Sequence, residues 1–210
     1  MSDAPRLRIL VVGASGVLGR AVVAELGERH EIVTAGSKSG DIRLDIGDPD
    51  SIAAGLKAAG PLDAVVCAAG AVNFAPLSAI APAPIAQSAY GLGLANKLMG
   101  QVNLTLAARE ALRDGGSITL IAGVLADEPI VAGSSASMVN GALESFVRAA
   151  AIELPRGLRV NVVSPTVFEE SMNVYAPFFR GFDPVPALRA ARAFSRSVEG
   201  RQTGQVYKVL

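Results

Sequence analysis

Apolar residues along the chain fall into short dense runs, separated by stretches with helical spacing. Residues 7–12 form an almost continuous apolar run that breaks at Gly13, the pattern expected of a strand buried on both faces. Val17–Gly27 follows, with Val17, Leu18, Val22, Val23 and Leu26 at helical intervals. The same reading predicts strands at 32–35, 42–44, 64–68, 117–121, 159–163 and 205–209. It predicts helices at Pro49–Ala59 (Asp48 as N-cap, Pro49 at the first position), at 85–112 with interruptions at Gly91, Gly93 and Gly100, at 135–154 up to Pro155, and at 186–198. Residues 75–84, with three prolines, and 167–184 read as irregular. Strand and helix alternate without a linker or repeat. That order predicts a single α/β domain over residues 1–210, a doubly wound parallel sheet of the Rossmann type.

Composition narrows the function classes. The 210 residues carry 19 Lys+Arg against 19 Asp+Glu, a formal net charge of zero, with a pI near 6.6. That balance lacks the positive field nucleic-acid binding draws on, so no nucleic-acid partner is expected. Half of the residues are hydrophobic and mean hydropathy is +0.40, yet no apolar run approaches the roughly 20 residues a membrane span needs. The N-terminal apolar run flows into a glycine turn rather than a cleavage site, so no leader is expected and a cytoplasmic location is. The single cysteine, Cys67, excludes an internal disulfide; with the single histidine, His30, it makes no set of soft metal ligands, and no metal is expected. Cys67 reads as a small buried hydrophobe and His30 as an exposed turn residue. The high apolar and low aromatic content points to an oligomer.

Gly13-Ala14-Ser15-Gly16-Val17-Leu18-Gly19 lies between the first strand and first helix, where a dinucleotide would bind. Gly13 permits the turn, Gly16 leaves the backbone open to a pyrophosphate, and Gly19 lets the helix approach the sheet. The helix N-terminus offers free N–H groups and partial positive charge. At the end of the second strand, Thr34-Ala35-Gly36-Ser37-Lys38 lacks the acid that would hold a ribose 2′-hydroxyl, and Ser37 and Lys38 could donate to a 2′-phosphate instead. NADP is therefore expected over NAD. Asp45-Ile46 after the third strand is placed to meet adenine.

These residues, with several others, resemble the short-chain dehydrogenase/reductase family. Gly13–Gly19 resembles its phosphate loop, in the GxxGxxG spacing of its extended and atypical members, and Asp45-Ile46 its adenine-contacting pair. Cys67-Ala68-Ala69-Gly70 is similar to its Asn-Asn-Ala-Gly with both asparagines lost. Ser134-Ser135-Ala136-Ser137-Met138 and the following Leu143-Glu144-Ser145-Phe146-Val147-Arg148-Ala149 resemble the helix that opens Tyr-Ser-Ala-Ser-Lys; residues 159–165 and 203–206 resemble its last two strands. The resemblance implies a cofactor site that also takes in Ala68, Ala69, Gly70, Pro165, Thr166 and Val167. It further implies a homodimer or homotetramer built through the helices at 85–112 and 135–154.

It also implies a catalytic tyrosine, a lysine four residues later, a serine about 13 residues earlier and an asparagine on the preceding helix. Matched in that register, the tyrosine position is Ser134, the lysine position Met138, the serine position Ala122 or Gly123, and the asparagine position Lys97. A phenol of pKa about 10 needs a nearby ammonium to act near neutrality, and Met138 supplies none. The remaining candidates for catalysis are Lys97, Ser134 and Tyr175. Structural roles are the alternative: Lys97 on a solvated helix face, Ser134 and Ser135 as N-caps, Tyr175 in packing, Tyr90 in packing among glycines and Glu169-Glu170 in solvent. Three functions compete: an NADP-dependent oxidoreductase acting on a small carbonyl or alcohol through a rebuilt site or an unusually reactive substrate, a catalytically inactive NADP-binding scaffold, and a non-redox isomerase or lyase.

Overall fold

The computed structural model describes residues 5–210; residues 1–4, where the segment read as lacking a leader begins, lie outside it. Seven strands form one sheet in the order β3-β2-β1-β4-β5-β6-β7. They are β1 Arg8–Val12, β2 Glu31–Gly36, β3 Ile42–Arg43, β4 Leu62–Cys67, β5 Leu112–Ile121, β6 Arg159–Pro165 and β7 Val206–Val209. Every neighbouring pair is parallel. The order reverses beside β1, where the chain first winds outward to β2 and β3 and then returns to β4. A crevice at the C-terminal ends of β1 and β4 follows from that reversal.

Alternation along the strands decides which helices lie on which face. Leu10, Val12, Val65, Ile118, Leu120, Val160 and Val162 point into one buried cluster with Ile52, Leu56, Leu104, Leu143 and Val147. These come from α2 Pro49–Ala59, α3 Met99–Ala111 and α4 Ser134–Ala150. Ile9, Val11, Ala64, Val66 and Val163 point the other way, against Leu18, Val22 and Leu26 of α1 Val17–Gly27 and Ala190, Ala191 and Phe194 of α6 Ala187–Glu199. Both faces of the sheet are covered, which is why its strands read as continuous apolar runs. Asp48 caps α2 as expected, accepting from Asp50 N at 3.0 Å, with Pro49 at the first position. No helix of the described residues is long and apolar enough to cross a membrane.

Several boundaries differ from expectation for identifiable reasons. Residues 85–112 are not one long helix: a 3₁₀ turn at Ile85–Gln87 follows Pro84, a π-helix occupies Gly93–Leu98, and only then does α3 begin. β5 starts at Leu112 rather than at 117, and its pairing with β4 shifts register between Leu62 and Ala64. α4 ends at Ala150 rather than at residue 154 and opens after Gly133 with no side-chain cap, so neither Ser134 nor Ser135 is its N-cap. The irregular stretch after β6 contains a 3₁₀ turn, Glu169–Ser171, and a single helical turn, α5 Met172–Tyr175. Glu170 is not merely solvated: both carboxylate oxygens accept from Ala187 N at 3.1 Å, at the start of α6. His30 is buried rather than exposed. Its Nδ1 accepts from Leu7 N at 3.3 Å and its Nε2 lies 3.0 Å from Glu199 Oε1, tying the β1 entry to the end of α6.

Candidate active site

The glycine loop is built as its spacing implies. Gly13 has φ +84°, and a Cβ there would stand 2.9 Å from the Ala68 backbone. A Cβ on Gly19 would lie 2.0 Å from Gly13 O, so only glycine lets α1 sit this close to the loop. Gly16 differs. Its nearest neighbour to a built Cβ is Gly13 O at 3.5 Å, so the protein itself leaves that space free. Gly16 caps α1 with no side-chain bond and no acid stands in the first turn, which leaves the helix N-terminus open to an anion.

Two cavities flank this loop. The first, of about 440 Å³, is lined by Gly13, Ser15, Ser37, Lys38, Asp45 and Ile46 among others. Asp45 Oδ1 accepts from Gly47 N at 2.9 Å, which fixes the turn at its rim. Asp41, beyond the β2 end, does not line this cavity: its Oδ2 accepts from Thr34 N at 2.9 Å and from Thr34 Oγ1 at 2.7 Å. Those bonds, the backbone one foremost, hold its carboxyl below the usual range. The second cavity, of about 290 Å³, shares Ala69 and Gly70 with the first and continues past Leu18, Ala68, Pro165, Thr166 and Val167. Of the expected cofactor residues, Gly16, Val17 and Gly19 form the start of α1, and all the others line one of these two cavities. A larger cavity of about 680 Å³ opens at the opposite edge of the sheet, between Leu7, Asp63, Gly115, Arg159 and Glu199. It lies at the N-terminal ends of the strands, away from the crevice where this fold binds ligands.

The π-helix re-aims two consecutive side chains, as such bulges often do at functional sites. Asn96 Oδ1 accepts from Ala71 N at 2.8 Å and borders the first cavity. Lys97 lines the second cavity rather than a solvated face, and its Nζ donates to Ala122 O at 3.0 Å. Gln101 anchors this turn to the sheet. Its Nε2 donates to Lys97 O at 3.1 Å and Ile121 O at 3.0 Å, while its Oε1 accepts from Ile121 N at 2.9 Å. Desolvation lowers the Lys97 pKa from 10.5 to about 8, while burial pushes the nearby Cys67 thiol up to about 12 and keeps it inert.

The structure does not bring Ser134 and Met138 to the cleft. Ser134 is not in the cleft; its Oγ lies 3.1 Å from the Tyr90 hydroxyl, so Tyr90 bonds as well as packs. Met138 is 42% exposed and points away. The pair that faces the second cavity at the same four-residue spacing is Ala136 and Asn140, opposite Gly123. Asn140 Nδ2 donates to Gly123 O at 3.3 Å. Sequence matching anchored on Ser-Ala-Ser missed them. The better anchor was Ala142-Leu143-Glu144, whose buried Leu143 and Glu144 set the inward face of α4. Tyr175 lines the outer wall, its ring 6.2 Å from Phe74 and 6.1 Å from Phe179.

A nicotinamide nucleotide fits these residues. Asn140 Oδ1 and Thr166 Oγ1 are buried in the cavity wall without a hydrogen-bond partner, a costly state that a ligand's donors would relieve.

An enoyl-(acyl carrier protein) reductase family model matches residues 13–210. A Listeria innocua protein of known structure is 46% identical, with a TM-score of 0.93 over 97% of this chain and 100% of that one. A versicolorin reductase of Emericella nidulans is 28% identical over 188 residues, 78% of this chain and 69% of the relative. A small-chain dehydrogenase solved with NADPH is 22% identical, with a TM-score of 0.83 over 98% of this chain and 97% of that one, and so shares the fold. With the loop at the switch point, the two joined cavities and a family match from Gly13 to the last residue, the chain belongs to the short-chain dehydrogenase/reductase family of nicotinamide-dependent oxidoreductases.

Proposed function

We propose that the protein is an NADPH-dependent reductase of a small carbonyl compound, in which Lys97 acts in place of the family's tyrosine–lysine pair. The observation that carries this reading is the Lys97 ammonium on the wall of the inner cavity, fixed by Ala122 O, where Ala136 supplies no phenol. The nicotinamide, when bound, supplies the hydride. Lys97 Nζ donates a proton to the substrate oxygen as charge develops there, and the bond to Ala122 O holds the resulting amine in place. Asn140 Oδ1 accepts from a ribose hydroxyl, a neutral replacement for the family's lysine at that spacing. Ser37 and Lys38 on the wall of the first cavity favour a 2′-phosphate, and Asp41 beyond them is engaged by Thr34. The NADPH complex of the fold neighbour is consistent with this preference.

Stopped-flow NADPH oxidation with a panel of aldehydes and ketones tests the reading, alongside thermal shifts with NADPH and NADH. Turnover that falls about 10²–10⁴-fold in Lys97→Met, with NADPH binding retained, is expected. NADPH binding without turnover of any carbonyl would instead establish a non-catalytic NADP-binding protein, a second reading favoured by the alanine at 136.

A further inference from the structure

The inner cavity combines a weak proton-donating apparatus with mostly apolar walls. Reduction of an ordinary ketone creates an alkoxide about as basic as hydroxide, whose conjugate acid has a pKa of about 15.7 in bulk water, so the transition state demands a strong, well-placed acid. Ala136 offers no phenol to the cavity, and Tyr175 sits on the outer wall, its ring packed near Phe74 and Phe179. Among the described residues, Lys97 is the one cationic side chain lining the cavity. Phe74, Val124, Leu125, Tyr175 and Phe179 line it beside the polar Asn140, Thr166 and Ser171, and the chain from 64 to 96, which contributes Val72 and Phe74, holds no Asp, Glu, Lys, Arg or His. At about 290 Å³, part of which a nicotinamide ring must fill, the space suits one or two fused rings.

Resting on the function proposed above, we infer that the substrate is a quinone: a neutral, planar, conjugated dicarbonyl whose reduction leaves a phenolate rather than an alkoxide. A phenolate's conjugate acid has a pKa of about 10, some six units below that of an alkoxide, so little proton transfer is needed in the transition state. The reaction balances as quinone + NADPH + H⁺ giving hydroquinone + NADP⁺. The hydride the cofactor would supply brings two electrons and bonds to one quinone oxygen as O–H rather than to the carbonyl carbon, where it would leave an alkoxide; the two carbonyl π bonds are replaced by an aromatic ring, and the other oxygen is left as phenolate. Lys97 Nζ gives that oxygen its proton and is recharged from water. Phe74 and Phe179 hold the ring by stacking and edge contacts.

The test compares 1,4-naphthoquinone with 1-tetralone, a simple ketone of the same bicyclic size, as substrates with NADPH, subtracting the protein-free rate. Naphthoquinone is expected to exceed tetralone in kcat/KM by about 10³-fold, the part of a six-unit basicity difference that a half-transferred proton expresses. Calorimetric binding of naphthoquinone to the cofactor-free protein is expected to weaken about tenfold in Phe179→Ala, and in Phe74→Ala should the buried Phe179 prove necessary for folding. Equal or faster reduction of tetralone overturns the quinone assignment and leaves the reductase reading standing. Binding of NADPH with neither compound reduced, nor any other carbonyl, removes both. Quinone affinity unchanged in folded variants at both phenylalanines overturns the assignment of the walls.

Discussion

At the scale of single residues, Lys97 is the group whose ionisation links stability to chemistry. Burial lowers its folded-state pKa from 10.5 to about 8, so between those values the unfolded chain binds the proton that the folded chain has released. Stability contributed at this site therefore rises as pH increases from about 8 to 10.5, and the full penalty applies below pH 8. At about 1.36 kcal/mol per unit the ceiling is roughly 3 kcal/mol, reduced because the side chain lines an open cavity. Lys97→Met is thus expected to raise urea-unfolding stability by on the order of 1–2 kcal/mol at pH 7, with the gain vanishing near pH 11. The proposed catalysis has the opposite dependence on that charge: carbonyl reduction by the wild-type protein should fall as pH rises through about 8, alcohol oxidation should rise, and both inflections should disappear in Lys97→Met. Rate–pH profiles in the two directions check this. Lys97 was nameable from the sequence as a candidate, but its burial was not, because a lysine on a regular helix faces water and only the π-turn redirects it. The same limit applied to Ala136 and Asn140. Two neighbouring registers both offer residues four apart, and only the buried face of α4 separates them.

Between elements, the join that matters is Gln101, a fully buried amide bonding both Ile121 backbone groups and the Lys97 carbonyl. It ties the π-turn to the end of β5, from which Ala122 and Gly123 follow into the cavity. Gln101→Leu keeps the volume close but strands the Ile121 N–H and two carbonyls, so it should cost about 2–4 kcal/mol in denaturant titrations and lower kcat more than it raises the NADPH Kd. Gly19→Ala tests the other wall. The added Cβ would overlap Gly13 O, so α1 must move away from the loop, and NADPH affinity should drop at least tenfold by fluorescence titration with most of the sheet intact. Apart from the start of β5, five residues before the apolar run that marked it, the strands, α1 and α2 were legible to within a residue or two, since a parallel sheet covered on both faces writes its core as uninterrupted apolar runs. The long helix at 85–112 was not. A π-turn and a 3₁₀ turn keep an apolar spacing close to that of an α-helix, and what distinguishes them is the tertiary fixing of Asn96, Lys97 and Gln101.

For the whole molecule, part of the exposed apolar surface lies along two helices. Leu92, Met99 and Leu106 recur at seven-residue intervals along the π-helix and α3, 44–50% exposed, and Met138 and Ile152 extend the exposed apolar surface along α4 and just beyond its end. A second copy packing on α3 and α4 would cover them, in keeping with the helices at 85–112 and 135–154 proposed to build a dimer or tetramer. The arrangement has a functional consequence, because Met99 follows directly on the π-turn that carries Lys97. A partner seated on the outer face of that segment would hold the turn that aims the ammonium inward. Light scattering at micromolar concentration is therefore expected to give at least a dimer mass. Met99→Glu combined with Leu106→Glu, both on exposed positions, should yield a folded monomer by the same measurement and by circular dichroism. In that monomer NADPH binding at the glycine loop should persist, since the loop lies on β1 and α1 away from α3, whereas the carbonyl reductase rate should fall with loss of the Lys97 inflection. A monomer with unchanged turnover would show that α3 and its bond to β5 through Gln101 hold the turn without help.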